Sequence, residues 1–162
     1  MPAPAHPDDL IQHTARTLLL RAPYRDWPAL MQGTKREFRT PSMGAIGDIL
    51  QTPTPIVLYA VSPSMLRRNR REGLAVLLEH RSERLIDLAH DHEGLEREGF
   101  ASYNEFRAYW RSRTHRPFRA SQEVEVFRVA PWGAVAEDDL GVALLRRLYG
   151  AYLDNGRDGR DQ

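Results

Sequence analysis

One short segment concentrates side chains that could bind or transform a charged ligand. Lys35, Glu37 and Arg39 alternate along the segment that begins at Gly33. Because alternate side chains of a strand share one face, this spacing predicts an ammonium, a carboxylate and a guanidinium side by side. The guanidinium could clamp a phosphate or a base edge, and the carboxylate could accept from an exocyclic amine. The ammonium could hold a phosphate or, if desolvated, act as base or nucleophile.

Lys35 is the only lysine of the chain, whereas the other 22 cations are arginines. An ammonium is a compact charge whose pKa changes readily, whereas a guanidinium stays charged and planar. A lone lysine therefore suggests a task for which arginine is unsuited, and an accident of composition is the alternative. For the whole charged segment, the plainer alternative is a surface charge row that stabilises the fold by less than about 1 kcal/mol.

Further candidate binding residues are aromatic or basic. Tyr24 and Trp27 lie at the ends of predicted elements beside the charged segment, where they could stack on bases, although a packing role is the alternative. An arginine cluster that could track a phosphate backbone comprises Arg67, Arg68, Arg70 and Arg71. A solvated face is the alternative interpretation of this cluster.

Composition excludes several kinds of chemistry. The chain has no cysteine, which rules out disulfides, thiolate metal sites and cysteine nucleophiles. His90 and His92 have acidic neighbours, but the other histidines complete no ligand spacing, so we expect no metal and no other cofactor.

The net charge is +1, so any nucleic-acid surface must be a local patch. No run of apolar residues is long enough for a membrane span and the N-terminus is no secretory signal, so we expect a cytoplasmic protein.

The elements that must position the charged segment can be read from local patterns. Thr17 to Arg21 predicts a short strand that ends before Pro23, and Asp26 is a plausible N-cap for one or two helical turns that Gly33 ends. The other predicted strands are Ile56–Val61, Leu74–His80 and Val124–Val129, with a helix as the alternative for Leu74–His80. The other predicted helices are Ser82–Ala89, Leu95–Glu98, one that Ser102 caps and Asp138–Leu153. In the helix after Ser102, Phe106 and Trp110 are expected to face the core.

This order of elements resembles the ASCH domain, a member of the PUA-like β-barrel group. Three motifs carry the resemblance: residues 27–39 (WPALMQGTKREFR), residues 47–50 (GDIL) and residues 98–110 (EGFASYNEFRAYW). The resemblance implies an α+β fold, namely a small PUA-like β-barrel of mixed sheet with flanking helices and an extra C-terminal helix. We expect a flexible tail at 1–9, the domain at 10–135, the helix at 136–153 packed on it and a second tail at 154–162.

The resemblance also directs the functional hypotheses. Some ASCH proteins hydrolyse acetylcytidine with a lysine, a threonine three residues later and a distant glutamate, but Phe38 stands in the place of that threonine. Other members are ribonucleases or RNA-binding modules. We therefore expect a monomer that binds nucleic acid or a nucleotide, RNA above all, in a cleft centred on residues 33–39. The alternatives are a ribonuclease or nucleoside hydrolase that uses Lys35 and Glu37, and a protein-interaction domain.

Overall fold

The computed structural model describes residues 18–41, 50–64 and 69–135. The five strands are β1 (Leu18–Arg21), β2 (Glu37–Pro41), β3 (Thr54–Val61), β4 (Arg70–Arg84) and β5 (Glu123–Pro131). The α-helices are α1 (Trp27–Gln32), α2 (His92–Glu98), α3 (Tyr103–Thr114) and α4 (Trp132–Val135), and a 3₁₀-helix spans Leu85–His90. Within these residues, no helix combines the length and the apolar character needed to cross a bilayer.

The strands form one mixed sheet in the order β1-β3-β4-β5-β2. β1 runs parallel to β3, whereas the β3–β4, β4–β5 and β5–β2 pairs are antiparallel. The predicted α+β fold with a mixed sheet and flanking helices is therefore confirmed. β1 and β2 are the two edge strands, and no pairing joins them in the part of the chain described, so the sheet stays open where a barrel would close.

Two clusters of buried apolar residues pack the sheet against its helices. The first packs on the face that α1 covers and includes Leu30, Phe38, Leu58 and Phe127. The second lies under the 3₁₀-helix, α2 and α3, and its buried members are Leu85, Leu88, Leu95, Phe106, Trp110, Val124 and Val126. Full burial of one large apolar side chain contributes roughly 1.5–3 kcal/mol. The core role expected of the α3 aromatic residues is confirmed.

The charged segment enters the sheet later than the sequence predicts. Gly33 ends α1 in the left-handed conformation at φ 77°, as expected. The amides of Thr34 and Lys35 both donate to the Ala29 carbonyl, at 3.0 and 3.1 Å. These two bonds hold the chain against the end of α1, so the strand begins only at Glu37. Lys35 therefore belongs to the turn, although the prediction placed it in an extended segment.

Most other predicted elements are found, with changes at their ends. β3 and β5 contain the predicted strands, and β1 covers the predicted first strand from Leu18 onward. β4 extends Leu74–His80 to fifteen residues. The predicted helix at Ser82–Ala89 is wrong at its start, because pairing with β5 continues to Arg84 and only a 3₁₀-helix follows. The expected termini, the GDIL motif at its first three residues, and the helix at Asp138–Leu153 lie outside the described residues.

Candidate functional site

Arg39 lies at the centre of a buried network of ion pairs. Its side chain is fully buried, and its Nη1 lies 2.9 Å from Glu37 and 2.7 Å from Glu98. Its Nη2 pairs with Glu83, to which Nε also donates at 2.8 Å. The guanidinium thus contacts three carboxylates, an arrangement that its planar fork of donors permits.

Lys35 joins the same network from the turn after α1. Its Nζ lies 3.3 Å from Asp26 and 3.2 Å from Glu98, and it sits over the rings of Phe100 and Tyr109 at 5.1 and 4.8 Å. The contact with Glu98 is a close ion pair rather than a well-aligned hydrogen bond, because that carboxylate oxygen has no hydrogen-bond partner. Glu98 is therefore shared between Lys35 and Arg39.

The outer side of the network is closed by two further arginines. Arg81 lies 3.2 Å and Arg97 2.8 Å from the carboxylate of Glu37. Near Lys35, the hydroxyl of Tyr109 donates to Asp26. Asp26 occupies the N-cap position of α1 as predicted, but its carboxylate makes no capping bond because it is used by Lys35 and Tyr109.

Burial and charge move the pKa values of the network in specific directions. Burial alone would lower the pKa of Arg39, but the charges of Glu98, Glu83 and Glu37 outweigh it and raise that pKa. Burial raises the pKa of Glu98 although Lys35 and Arg39 oppose this shift. Burial also raises the pKa of Tyr109. The guanidinium is thus firmly charged, and the phenol stays protonated at every ordinary pH.

The three residues that the sequence grouped therefore meet, but inside the protein. Lys35, Glu37 and Arg39 are 6%, 0% and 0% exposed. Each charged end already has protein partners, so this conformation presents neither Lys35 nor Glu37 to a substrate. The sequence analysis missed Glu83 and Glu98 as members of the network. Glu98 opens the EGF motif that carried the family resemblance, which was the one available signal.

The enclosed position of Lys35 predicts that arginine is unsuited there. The space holds one ammonium between two carboxylates and two rings, and a guanidinium is larger. We expect Lys35→Arg to lower the free energy of unfolding by about 1–3 kcal/mol through overpacking. Urea denaturation measures this change, with Arg36→Lys, an exchange at an exposed neighbour, as the control. Equal stability of Lys35→Arg and the wild type would mean that the lysine is only a compositional accident.

An open cleft of about 630 Å³ lies next to the network, between the two edges of the sheet. Leu19 and Ala22 line it from the β1 side, Thr40 and Pro41 from β2, and His115 from the end of α3. The remaining lining residues are Leu20, Arg21, Pro23, Tyr24, Arg25, Tyr59, Val61, Pro63, Ser112, Arg113, Glu125 and Phe127. The cleft therefore occupies the seam that remains because β1 and β2 do not pair.

Two arginines of the cleft make hydrogen bonds to the surrounding protein. Arg25 donates to the Ser112 hydroxyl at 3.2 Å, which ties the loop before α1 to the end of α3. Arg113 donates to the Arg39 carbonyl and, at 3.3 Å, to the Tyr109 hydroxyl. The buried network thus supports one wall of the cleft, because Arg113 both lines the cleft and bonds to the network.

The other predicted binding residues meet at one side of the cleft. The Arg71 guanidinium lies over Tyr24 at 5.0 Å and over Trp27 at 5.9 Å. Arg70 lies over Tyr59 at 4.5 Å. Of these five residues, Tyr24 and Tyr59 line the cleft. Trp27 is also tied inward, because its indole donates to the Leu58 carbonyl at 3.0 Å.

Two of the predicted binding residues, Arg67 and Arg68, lie outside the described residues. In the part of the chain that the structure covers, no group of three or more histidine or acidic side chains could hold a metal ion. The structure places Arg71 over Tyr24 and Trp27 and Arg70 over Tyr59, and none of these residues belongs to the buried set Lys35, Glu37 and Arg39.

Comparison with known proteins gives a similar solved structure. No protein-family model matches the chain. No curated protein matches it either. Among solved structures, the chain is similar to the crystal structure of an ASCH domain from Lactobacillus crispatus JV V101, with 10% sequence identity and a TM-score of 0.44, over 76% of this chain and 89% of that one. At this TM-score, the similarity indicates neither a ligand nor an activity for this chain.

Proposed function

We propose that the cleft between β1 and β2 binds a nucleotide, free or as part of a single-stranded nucleic acid, with RNA preferred. The observation that carries this proposal is the coincidence of arginines and two half-buried tyrosine rings in one opening of about 630 Å³. That volume is in the range of about 300–1,000 Å³ typical of small-molecule sites. The chain is close to neutral, at +1, so this local cluster, and not the overall charge, would attract the ligand.

The arginines of the cleft match a phosphate in charge and donor geometry. Arg21 and Arg25 are exposed, and Arg113 is half-buried beside them in the cleft wall. Guanidinium groups bind phosphate oxygens in pairs of parallel hydrogen bonds. Because Arg21 and Arg25 are exposed and Arg113 is held by the network, the two exposed arginines would contact phosphates of the ligand while the wall keeps its shape.

The aromatic residues of the cleft suit a base. Tyr24 and Tyr59 are both half-buried, and each has a guanidinium over its ring. A base that stacks on such a ring gains about 1–3 kcal/mol without regard to its sequence. A single strand that leaves the cleft on this side would meet Arg70 and Arg71, both of which are exposed. We therefore propose the predicted residues Tyr24, Arg70 and Arg71 as ligand contacts.

Within this proposal, Lys35, Glu37 and Arg39 form the support of the cleft and not its contact surface. They are buried, and the Arg39 carbonyl accepts from Arg113 in the cleft wall. Catalysis by Lys35 and Glu37 stays a prediction. It would require the Lys35 pairs with Asp26 and Glu98 to open, because those contacts of 3.3 and 3.2 Å enclose the ammonium.

A binding titration tests the proposal. Fluorescence anisotropy of a labelled ten-nucleotide RNA is compared with the same DNA sequence and with a duplex, at low salt. We expect the single strands to bind more tightly than the duplex, and Tyr59→Ala to weaken binding by about 5- to 100-fold, the loss of one stacked base. Tyr59→Phe, which keeps the ring, is the matched control and should bind like the wild type. Absent binding at low salt, or equal affinity of Tyr59→Ala and the wild type, would overturn the proposal.

A further inference from the structure

We infer that Glu125, at the floor of the cleft, accepts a hydrogen bond from the exocyclic amino group of a bound base. The ligand is then a nucleotide whose base carries such a group, and nucleotides with a keto oxygen in its place are selected against. This inference rests on the proposed function and adds the class of base to it. Of the described residues that line the cleft, Glu125 is the only acid.

The carboxylate of Glu125 is buried, and half of its acceptor capacity is unused. The residue is 7% exposed and lies opposite Thr40 of β2, which also lines the cleft. Its Oε2 lies 3.2 Å from Nε2 of His80. Its other oxygen makes no hydrogen bond or ion pair with the described part of the chain. This second oxygen is not among the fully buried atoms without a partner, so it keeps access to the cleft, from which a ligand can supply a donor.

His80 fixes the orientation of this carboxylate. The Leu50 amide donates to Nδ1 of His80 at 3.0 Å, so Nδ1 is an acceptor and the ring proton of the neutral imidazole is on Nε2. Nε2 therefore donates to Glu125. The imidazole also stacks on Phe127, with 4.6 Å between ring centroids and an interplanar angle of 10°. Held at one oxygen by a packed ring, Glu125 is a preorganised acceptor, and His80 is its positioning residue.

The chemistry of the carboxylate decides which base fits. An ionised carboxylate only accepts hydrogen bonds, as cytosine amino groups exploit in nucleic-acid recognition. A keto oxygen at the same place would bring two acceptors together and leave both unsatisfied. Sites that hydrogen-bond a ligand group reject the analogue that lacks it, because their own buried polar group is then unpaired. Cytosine and uracil differ by an amino group against a keto oxygen at the same ring position. Adenine and hypoxanthine differ in the same way.

Competition by nucleoside monophosphates tests the inference on the full chain. CMP, UMP, AMP and IMP displace the labelled RNA, and we expect CMP and AMP to compete at least about fivefold better than UMP and IMP. In Glu125→Gln, the amide oxygen can keep the His80 bond while its NH₂ faces the base. The preference should then disappear or reverse. Glu79→Gln, which removes the same charge from a side chain that is 43% exposed, should keep the wild-type preference.

Each result decides between distinct conclusions. If no nucleotide competes and no RNA binds, the proposed function itself fails. If all four nucleotides compete equally, the cleft binds nucleotides but Glu125 does not read the amino group, and the inference is wrong. The inference is also wrong if Glu125→Gln retains the wild-type preference. Should that variant fail to fold, as its thermal transition would reveal, the wild-type comparison of CMP with UMP still decides the matter.

Discussion

Replacing Arg39 with methionine is expected to lower the free energy of unfolding by about 3–5 kcal/mol, the cost of removing one partner from a buried ion pair. Methionine fills much of the same volume, so the effect is electrostatic and not that of a cavity. Glu37 and Glu98 are 0% and 1% exposed and would lose the guanidinium that contacts both. The loss of stability should exceed that of any single exposed ion pair, which contributes about 0–1 kcal/mol.

Urea denaturation followed by circular dichroism measures this loss. The matched control is Arg84→Met, because Arg84 pairs with Asp87 at 3.3 Å while its side chain is 61% exposed. That control should change stability by less than about 0.5 kcal/mol. If Arg39→Met unfolds with the same free energy as Arg84→Met, the buried network does not support the fold, and its proposed role beneath the cleft is wrong.

Reversing the charge of the two exposed cleft arginines is expected to weaken RNA binding by at least about 100-fold at low salt. Arg21→Glu with Arg25→Glu removes two proposed phosphate contacts and places repulsive charge at the opening. Because each phosphate contact on a single strand contributes about 0.7 to the slope of log affinity against log salt, the slope should become shallower by about 1.4. Neither side chain is buried, so the fold should keep its thermal stability.

The control for this variant carries the same change in net charge. Arg36→Glu with Arg84→Glu alters two exposed arginines that do not line the cleft. At the same salt concentration, this control should lose affinity only by the general effect of four charge units, which is smaller because its charges lie outside the cleft and are partly screened from the ligand. An equal loss in both double variants would mean that binding is a property of the net charge and not of the cleft.

The local parts of the fold could be predicted because their causes are local. Gly33 and Gly99 both adopt positive φ at helix ends, at 77° and 86°, where glycine is the residue of choice. Ser102 accepts from the Glu105 amide, as its N-cap spacing indicates. Alternation in Val124–Val129 identified β5. In each case, neighbours within four or five residues decide the outcome.

The buried network could not be predicted from the same information. The alternation of side chains along a strand correctly placed Glu37 and Arg39 on one face. It does not determine whether that face is exposed to solvent or covered by a helix. The partners of Arg39 on β4 and α2 are 44 and 59 residues away along the chain. Only the packing of α2 against β2 brings Glu98 to Arg39. A charged row that would otherwise contact solvent is thereby enclosed.

The cleft arises from topology, which explains why most of its residues were missed. Tyr59 is on β3, Arg113 on α3 and Glu125 on β5, and no sequence pattern joins them. They meet because β1 and β2 are the outer strands of a sheet whose two edges line the same opening. Tyr24 was predicted as a stacking residue because of its place at an element end, and the structure puts it in the cleft.

The most direct measurement of the central claim is an NMR titration of the ¹⁵N-labelled chain with the ten-nucleotide RNA. If the seam between β1 and β2 is the binding site, amide shifts should concentrate in residues 19–25, at Thr40, at Tyr59 and around Arg113 and Glu125. The amides of α2, on the far side of the buried network, should barely move. Shifts that concentrate on another surface, or their absence at millimolar RNA, would contradict the account.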